Sequence, residues 1–237
     1  KLLNGLCSIP KTNVQVIMFG CLLSAIAMYI NWAIAYVVGG LYCCTVVKKV
    51  KNVDYPLLVA SCYATDMIWH SGMSGTIPLV ASTEGSFVAN IVGYVIPVSE
   101  TMFSPLNLTF CTIITISLPF VARALIPPKN EAVVVEFDVP EEHSFKRDKS
   151  ITCSFAQRME YSRFFTVIIG VGLAVYCVIY FKRTGLDGLT LDALNLVLLA
   201  LAFLLVQNVR EFVAHAPEAV KSATSILTQY PFYACIL

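Results

Sequence analysis

The sequence predicts an all-α integral membrane protein in which one membrane-crossing helix is broken. Hydrophobic residues make up 57% of the 237-residue chain and charged residues 13%, with a mean hydropathy of +0.75. That leaves too little polar surface to cover a soluble globule of this length. Apolar runs long enough to cross a bilayer alternate with short basic stretches. One of these runs is interrupted at residues 69–78 by Trp-His-Ser-Gly-Met-Ser-Gly-Thr-Ile-Pro.

Composition and spacing argue against several other classes of protein. The formal net charge of +1 is too small to indicate nucleic-acid binding, and the basic residues do not line one face. The nine cysteines show no Cys-x-x-Cys spacing, so we expect no disulfide framework and no metal site. His70, His143 and His215 lie far apart without ligand spacing. An integral-membrane enzyme is therefore a weak alternative, and no cofactor is expected.

Residues 14–47 contain no charged residue and predict a re-entrant helical hairpin. A single helix of that length would be about 50 Å long, against a hydrocarbon core of about 30 Å. Asn31 lies at the midpoint, and Lys11 on one side and Lys48 and Lys49 on the other give the run two basic flanks. Since short basic loops stay in the cytoplasm, both ends are expected on that side. One long tilted helix remains the alternative.

The remaining elements follow in order along the chain. Residues 57–81 are expected to cross outward as the broken span, and residues 106–126 to return, because Arg123 places that end inside. The charge-rich residues 127–162 predict a cytoplasmic connector. Spans are then predicted at 163–181 and 189–206, with an amphipathic interfacial helix at 208–224 and an incomplete span from 226. Because the first residue is Lys and the chain ends within an apolar run, we expect a truncated piece of a longer protein.

The interruption at residues 69–78 is the predicted binding site. In lipid, non-helical backbone is tolerated only where it is buried in protein or lines a watery cavity, so a broken membrane helix is a site hypothesis. Asp66 lies just before it in an apolar setting, where an acid usually marks a pathway or a proton relay. His70 follows four residues later, on the same face if the helix persists. The two are predicted to couple protons, or simply to pair beside a water-filled vestibule.

Several segments, taken in register, resemble the bacterial short-chain fatty acid transporters of the acetoacetate and butyrate type. The segments that carry the resemblance are Ile30-Asn31-Trp32, Val37-Val38-Gly39-Gly40, Asp54-Tyr55-Pro56-Leu57-Leu58, Trp69, Ser71-Gly72-Met73-Ser74-Gly75-Thr76-Ile77-Pro78-Leu79, Ile96-Pro97-Val98 and Gln229-Tyr230-Pro231-Phe232-Tyr233. The resemblance implies an ion-transporter-like fold with two inverted repeats, each carrying a re-entrant hairpin and an unwound helix. Residues 1–126 would belong to the first repeat and residues 163–237 would begin the second, without its hairpin. Asp66 and His70 depart from the pattern, being more polar than expected.

The resemblance also implies a function, namely secondary transport of acetoacetate, butyrate or similar small monocarboxylates across the bacterial cytoplasmic membrane by a multi-pass protein. The partners would be the substrate, a coupling proton or sodium ion, the lipid bilayer and a further copy of the chain. Hydroxyls, free backbone N–H groups and half-helix dipoles around the break suit a carboxylate, and tryptophans suit the apolar tail. The candidate substrate-binding residues are Asn31, Trp32, Trp69, Ser71, Gly72, Ser74, Gly75 and Thr76. A packing role for Trp32, Trp69 and Ser74, and a channel or structural membrane subunit as the function, remain alternatives.

Overall fold

The computed structural model of the chain describes residues 5–128, 130–135 and 154–235. All regular elements in these ranges are helical, so the prediction of an all-α fold is confirmed. Most of the predicted connector, including its charged run at 141–149, lies outside the described residues. The α-helices are α1 (Asn13–Ile30), α2 (Trp32–Lys49), α3 (Tyr55–Tyr63), α4 (Thr76–Ala81), α5 (Phe87–Val92), α6 (Pro105–Ala124), α7 (Phe155–Glu160), α8 (Arg163–Thr184), α9 (Leu191–Leu205) and α10 (Val209–Ala234). Two 3₁₀ segments, Ala64–Ser71 and Leu186–Gly188, complete the described helices.

The chain divides into two compact units. The first comprises Lys1–Glu141 with Gly185–Leu191, and the second comprises Glu142–Thr184 with Asp192–Leu237. Within the first unit, the Ser82 hydroxyl donates to the carbonyl of Leu189 at 3.3 Å. The candidate binding residues all belong to this first unit.

Three of the described helices, α1, α6 and α8, are long and apolar enough to cross a membrane. Helices α6 and α8 match the spans predicted at 106–126 and 163–181. Helix α9 corresponds to the predicted span 189–206, but its 15 residues extend only about 22 Å. Together with the composition, these helices confirm the class of integral membrane protein.

The chain reverses direction at Asn31, between α1 and α2. Asn31 is extended, with φ −158° and ψ 123°, and its backbone N–H donates to the carbonyl of Ala27 at 2.8 Å. Its Oδ1 accepts from the backbone N–H of Ile34 at 3.0 Å and so caps α2. The single long helix considered from the sequence is therefore wrong. Each arm of 18 residues is about 27 Å long, and re-entry from one membrane face stays a prediction.

Small residues let the two arms of this hairpin pack closely. A Cβ atom on Gly20 would lie 2.5 Å from Cε1 of Tyr42, and one on Gly39 would lie 3.0 Å from the hydroxyl of Ser24. The Tyr42 hydroxyl, fully buried, donates to the carbonyl of Val16 at 2.9 Å. These contacts join early α1 to late α2, so the arms run antiparallel. Close approach through small residues is typical of membrane helices.

Two buried apolar clusters hold the hairpin in the first unit. One lies toward the open end of the hairpin and includes Val16, Tyr42, Leu58 and Ala122. The other lies at the closed end, near the tip, and is formed by Ala25, Met28, Ala35, Ile68 and Cys111. The second cluster joins the hairpin tip to the 3₁₀ segment Ala64–Ser71 and to α6, and so fixes the hairpin against the broken helix.

The C-terminal helix differs from the sequence prediction. An interfacial helix at 208–224 and a separate span from 226 were expected, but α10 runs continuously over Val209–Ala234 and contains Pro217 and Pro231. No glycine follows Gly188 in the chain, so the usual residue for stopping a helix is missing here. The position of α10 relative to a membrane stays a prediction.

Candidate functional site

The helical break begins earlier than the sequence predicted. Helix α3 ends at Tyr63 and continues as the 3₁₀ segment Ala64–Ser71, and regular helix resumes only at Thr76. The hydroxyl of Ser61 donates to the carbonyl of Leu57 at 2.6 Å, and that of Thr65 to the carbonyl of Cys62 at 2.7 Å. Such side-chain bonds to the backbone compete with regular helix and often bend it. These hydroxyls in the sequence were a signal for the earlier break.

The hairpin tip and the broken helix are joined by two hydrogen bonds. The backbone N–H of Met73 donates to the carbonyl of Tyr29 at 2.7 Å. The backbone N–H of Trp32, the first residue of α2, donates to the hydroxyl of Ser74 at 3.0 Å. The two irregular backbone segments thus satisfy each other's polar groups, as buried backbone requires. Asn31 and Trp32 are therefore brought to the break, where the sequence predicted them.

Glycine is needed at positions 72 and 75, both predicted site residues, because the backbone of other residues lies close to them. A Cβ atom on Gly72 would lie 2.7 Å from the carbonyl oxygen of Tyr29, and one on Gly75 would lie 2.6 Å from that of His70. Distances this short force the backbone to move. The two glycines thus permit the contact between hairpin and break, and their own N–H groups already donate to Trp69 and Gly72 carbonyls respectively.

Several polar groups at the break have protons that they do not donate to any described residue. Asn31 is 4% exposed, and its Oδ1 accepts from Ile34, while its side-chain N–H₂ makes no hydrogen bond to a described residue. The hydroxyl of Ser74 accepts from Trp32, which leaves its proton to donate, and no hydrogen bond joins the hydroxyl of Ser71 or of Thr76 to a described residue. No Lys or Arg lies at positions 12–47 or 52–122. The site therefore offers neutral donors and no fixed positive side chain.

Aromatic rings border the same region. The ring centroids of Trp32 and Trp69 are 5.5 Å apart, and the His70 ring stacks on Trp69 at 4.5 Å with an interplanar angle of 17°. The Nε1 of Trp69 is buried without a hydrogen-bond partner. The rings form an apolar surface beside the donors, and their mutual contacts are equally compatible with packing.

Asp66 and His70 do not form the expected pair. Asp66 Oδ1 accepts from the hydroxyl of Tyr36 at 2.6 Å, whereas His70 is exposed and stacks on Trp69. The reason is the 3₁₀ segment, in which residues i and i+3 eclipse, so Asp66 aligns with Trp69 instead of His70. The role of either residue in ion coupling stays a prediction. No group of metal-ligating side chains occurs among the described residues.

Two residues at the site were missed from the sequence. Tyr36 lies one helical turn after Trp32, so the shared helix face was a usable signal. The side-chain N–H₂ of Asn107 donates to the carbonyls of Ser71 and Met102, both at 2.8 Å. Asn107 is a polar residue in the first turn of an apolar span, and it fixes the end of the 3₁₀ segment to α6.

The break at residues 71–76 lies outside the walls of four cavities in the described part of the first unit. Four cavities of about 170 to 500 Å³ lie in that unit, and residues 71–76 line none of the four. One of about 290 Å³ lies beside α2 and α3 and includes Tyr36 and Tyr63 in its wall.

Comparison with known proteins gives a family match over the whole chain. The family described as short chain fatty acid transporter matches residues 1–237. An Escherichia coli K12 protein, provisionally named short-chain fatty acid transporter, is 33% identical over 236 residues, which are 99% of this chain and 53% of the relative. A Haemophilus influenzae Rd protein of the same name is 31% identical over 241 residues, which are 99% of this chain and 54% of that relative. No solved structure matches. The chain spans about half the length of these curated relatives.

Proposed function

The chain belongs to the short-chain fatty acid transporter family, and from that premise we propose that it carries acetoacetate, butyrate or similar small monocarboxylates across the bacterial cytoplasmic membrane. The family is one of transporters, so the chain is not an enzyme. The observation that best supports the substrate is the junction of the hairpin tip with the broken helix through Trp32 and Ser74.

The carboxylate of the substrate is bound by neutral donors at this junction. The side-chain N–H₂ of Asn31 and the hydroxyl protons of Ser71, Ser74 and Thr76 are free to donate. Hydrogen bonds to an ionised acceptor are about twice as strong as those between neutral groups, so a few such donors hold a monocarboxylate without a salt bridge. Binding without a fixed cation also keeps the site from trapping its substrate.

The apolar tail of the substrate lies on the surface formed by Trp32 and Trp69. Each buried methylene contributes about 0.8 kcal/mol, so a three-carbon tail adds modest affinity and the carboxylate sets the orientation. The mutual packing of the rings keeps this surface rigid. A short acid fits such an arrangement better than a dicarboxylate, whose second charge would meet aromatic carbon.

Transport is coupled to a proton or a sodium ion at Asp66. This carboxylate is half-buried, receives one hydrogen bond, from Tyr36, and has no basic side chain among the described residues as a partner. An uncompensated charge within a membrane segment costs several kcal/mol, which a bound cation or a proton relieves. His70, exposed beside Trp69 at the end of the 3₁₀ segment, is the second candidate coupling residue.

Counterflow in proteoliposomes tests the proposal. The 237-residue chain and the Escherichia coli relative are reconstituted separately and loaded with unlabelled butyrate, and entry of labelled butyrate from outside is followed. A carrier gives saturable, transient accumulation of label that unlabelled acetoacetate or butyrate suppresses. Label that only equilibrates, without overshoot or saturation, would support a channel and contradict the proposal.

A further inference from the structure

An apolar groove runs along the surface between α1 and α6. A cavity of about 500 Å³ is lined by residues that include Ile9, Met18, Leu22 and Phe120. A second cavity of about 310 Å³, lined by residues of the same two helices, shares Thr115 and Ile116 with the first. The two are therefore continuous, and they extend along α6 from Leu108 to Phe120, which is about 18 Å.

The groove has a defined direction. Its α1 wall runs from Gln15 to Ile30 while its α6 wall runs from Phe120 back to Leu108, so the helices are antiparallel. One end of the groove therefore lies at the beginning of α1 and the end of α6. The end of α2 and the beginning of α3 lie at this end of the unit too, because the hairpin arms are antiparallel.

That end of the groove carries positive charge. Lys11 directly follows the groove residues Ile9 and Pro10, and its backbone N–H donates at 2.9 Å to Oε1 of Gln15, which also lines the groove. Arg123 lies one helical turn beyond Pro119, on the same face. The side chains of Lys11 and Arg123 form no hydrogen bond or ion pair with a described residue.

The charge balance at this end is positive among the described residues. The charged side chains on the helix ends and adjoining segments there are Lys11, Lys48, Lys49, Lys51, Arg123, Asp54 and Glu131. Both oxygens of Asp54 already accept backbone hydrogen bonds, from Leu57 and Val133. Basic positions next to an apolar groove between membrane helices suit the phosphate of an anionic lipid headgroup.

We infer that this groove binds one acyl chain of an anionic phospholipid whose phosphate lies between Lys11 and Arg123. The site goes beyond the proposed transport activity, since the groove contains none of the candidate substrate residues. Its length of about 18 Å accommodates most of a phospholipid acyl chain. The bound lipid would keep the hairpin arm α1 in contact with α6 by filling the space between them.

Native mass spectrometry of the purified chain tests the inference, with phosphatidylglycerol and phosphatidylcholine of identical acyl chains as probes in mixed micelles. We expect the wild type to retain phosphatidylglycerol about tenfold over phosphatidylcholine, and the double variant Lys11→Gln with Arg123→Gln to lose this preference. The matched control, Lys182→Gln with Arg183→Gln, neutralises a basic pair at the exposed end of α8 and keeps the preference.

A second pair of variants tests the groove itself. Thr115→Trp places a large ring where the two cavities meet and is expected to lower phosphatidylglycerol retention about tenfold although both charges remain. Thr109→Trp, on the same helix outside the groove, leaves retention unchanged. Equal retention of the two lipids by the wild type would overturn the inference, as would full retention by Thr115→Trp. Crosslinking of a second copy across the groove would likewise overturn it.

Discussion

Asp66 has one hydrogen-bond donor in the described chain, the hydroxyl of Tyr36 at 2.6 Å, and lies on a stretch from 52 to 122 without Lys or Arg. A charge in this position needs a mobile partner, because no fixed one is supplied. The single tyrosine contact orients the carboxylate and leaves its second oxygen available. We therefore propose that ion coupling depends on the charge of Asp66.

Asp66→Asn is expected to abolish uptake driven by a pH gradient and to leave equilibrium binding of butyrate within about threefold, since the donors of the substrate site remain. Uptake into proteoliposomes and equilibrium binding are measured in parallel. Glu84→Gln, an exposed acid in the loop after α4, is the control and should change neither. If Asp66→Asn retained pH-driven uptake, the carboxylate would have a structural role. Loss of sodium-driven uptake alone would assign the site to sodium.

At the scale of the element, the contact between hairpin and break depends on glycine. Gly72 lies with its Cα face against the last turn of α1, where the carbonyls of Met28 and Tyr29 would be 2.9 and 2.7 Å from an added Cβ atom. Backbone atoms cannot move aside as a flexible side chain can. The residue type at position 72 therefore decides whether the hairpin tip and the helical break can come into contact.

Gly72→Ala should lower the free energy of unfolding by about 1–3 kcal/mol, as overpacking against backbone typically does. Thermal unfolding of the purified protein in detergent measures the effect. Gly40→Ala is the matched control, because it adds the same methyl group to α2 where nothing lies within 4 Å. That change should be neutral or stabilise the helix by up to about 1 kcal/mol. Equal melting temperatures for the two variants would contradict the close contact at Gly72.

The arrangement of the hairpin predicts its membrane topology. Because α1 and α2 are antiparallel, Lys11 and Lys49 lie at the same end of the hairpin, and we expect their charges to keep that end in the cytoplasm. Single variants Lys11→Cys and Lys49→Cys are labelled with a membrane-impermeant maleimide in intact and in opened cells. The parent chain, with Cys153 and Cys235 changed to serine, gives the background from its remaining cysteines. Both sites should react only after opening. Reaction of one site in intact cells would contradict the hairpin topology.

The sequence predicted the elements whose signals are local. A charge-free run with Asn31 at its midpoint indicated the helical hairpin, and clustered glycine, serine and proline indicated the helical break. The sequence did not predict that α3 would become 3₁₀ at Ala64, because that change depends on side-chain hydroxyls that compete weakly for backbone carbonyls. The partner of Asp66 was also missed, since a hydrogen bond from Tyr36 joins residues 30 positions apart. Contacts between elements are set by packing, which a single sequence does not display.

At the scale of the whole molecule, the two-repeat organisation remains a prediction. One boundary between the two units falls at Glu141 and Glu142, inside the connector expected at 127–162, and the later segment Gly185–Leu191 also belongs to the first unit. The first unit contains the hairpin, the broken helix and α6, which are the parts expected of a first repeat. All the candidate donors lie in this unit, so the substrate site can be tested there directly.

The most direct test of the account is the affinity of the purified protein for labelled butyrate in two serine variants. Ser74→Ala removes a buried hydroxyl at the junction of hairpin and break, and Ser61→Ala removes a buried hydroxyl that bonds only within α3. We expect Ser74→Ala to weaken binding about tenfold and Ser61→Ala to change it less than twofold, with Ser74→Thr restoring affinity because it keeps the donor. Circular dichroism confirms that each variant is folded. Equal affinities for Ser74→Ala and Ser61→Ala would contradict the claim that the junction binds the carboxylate.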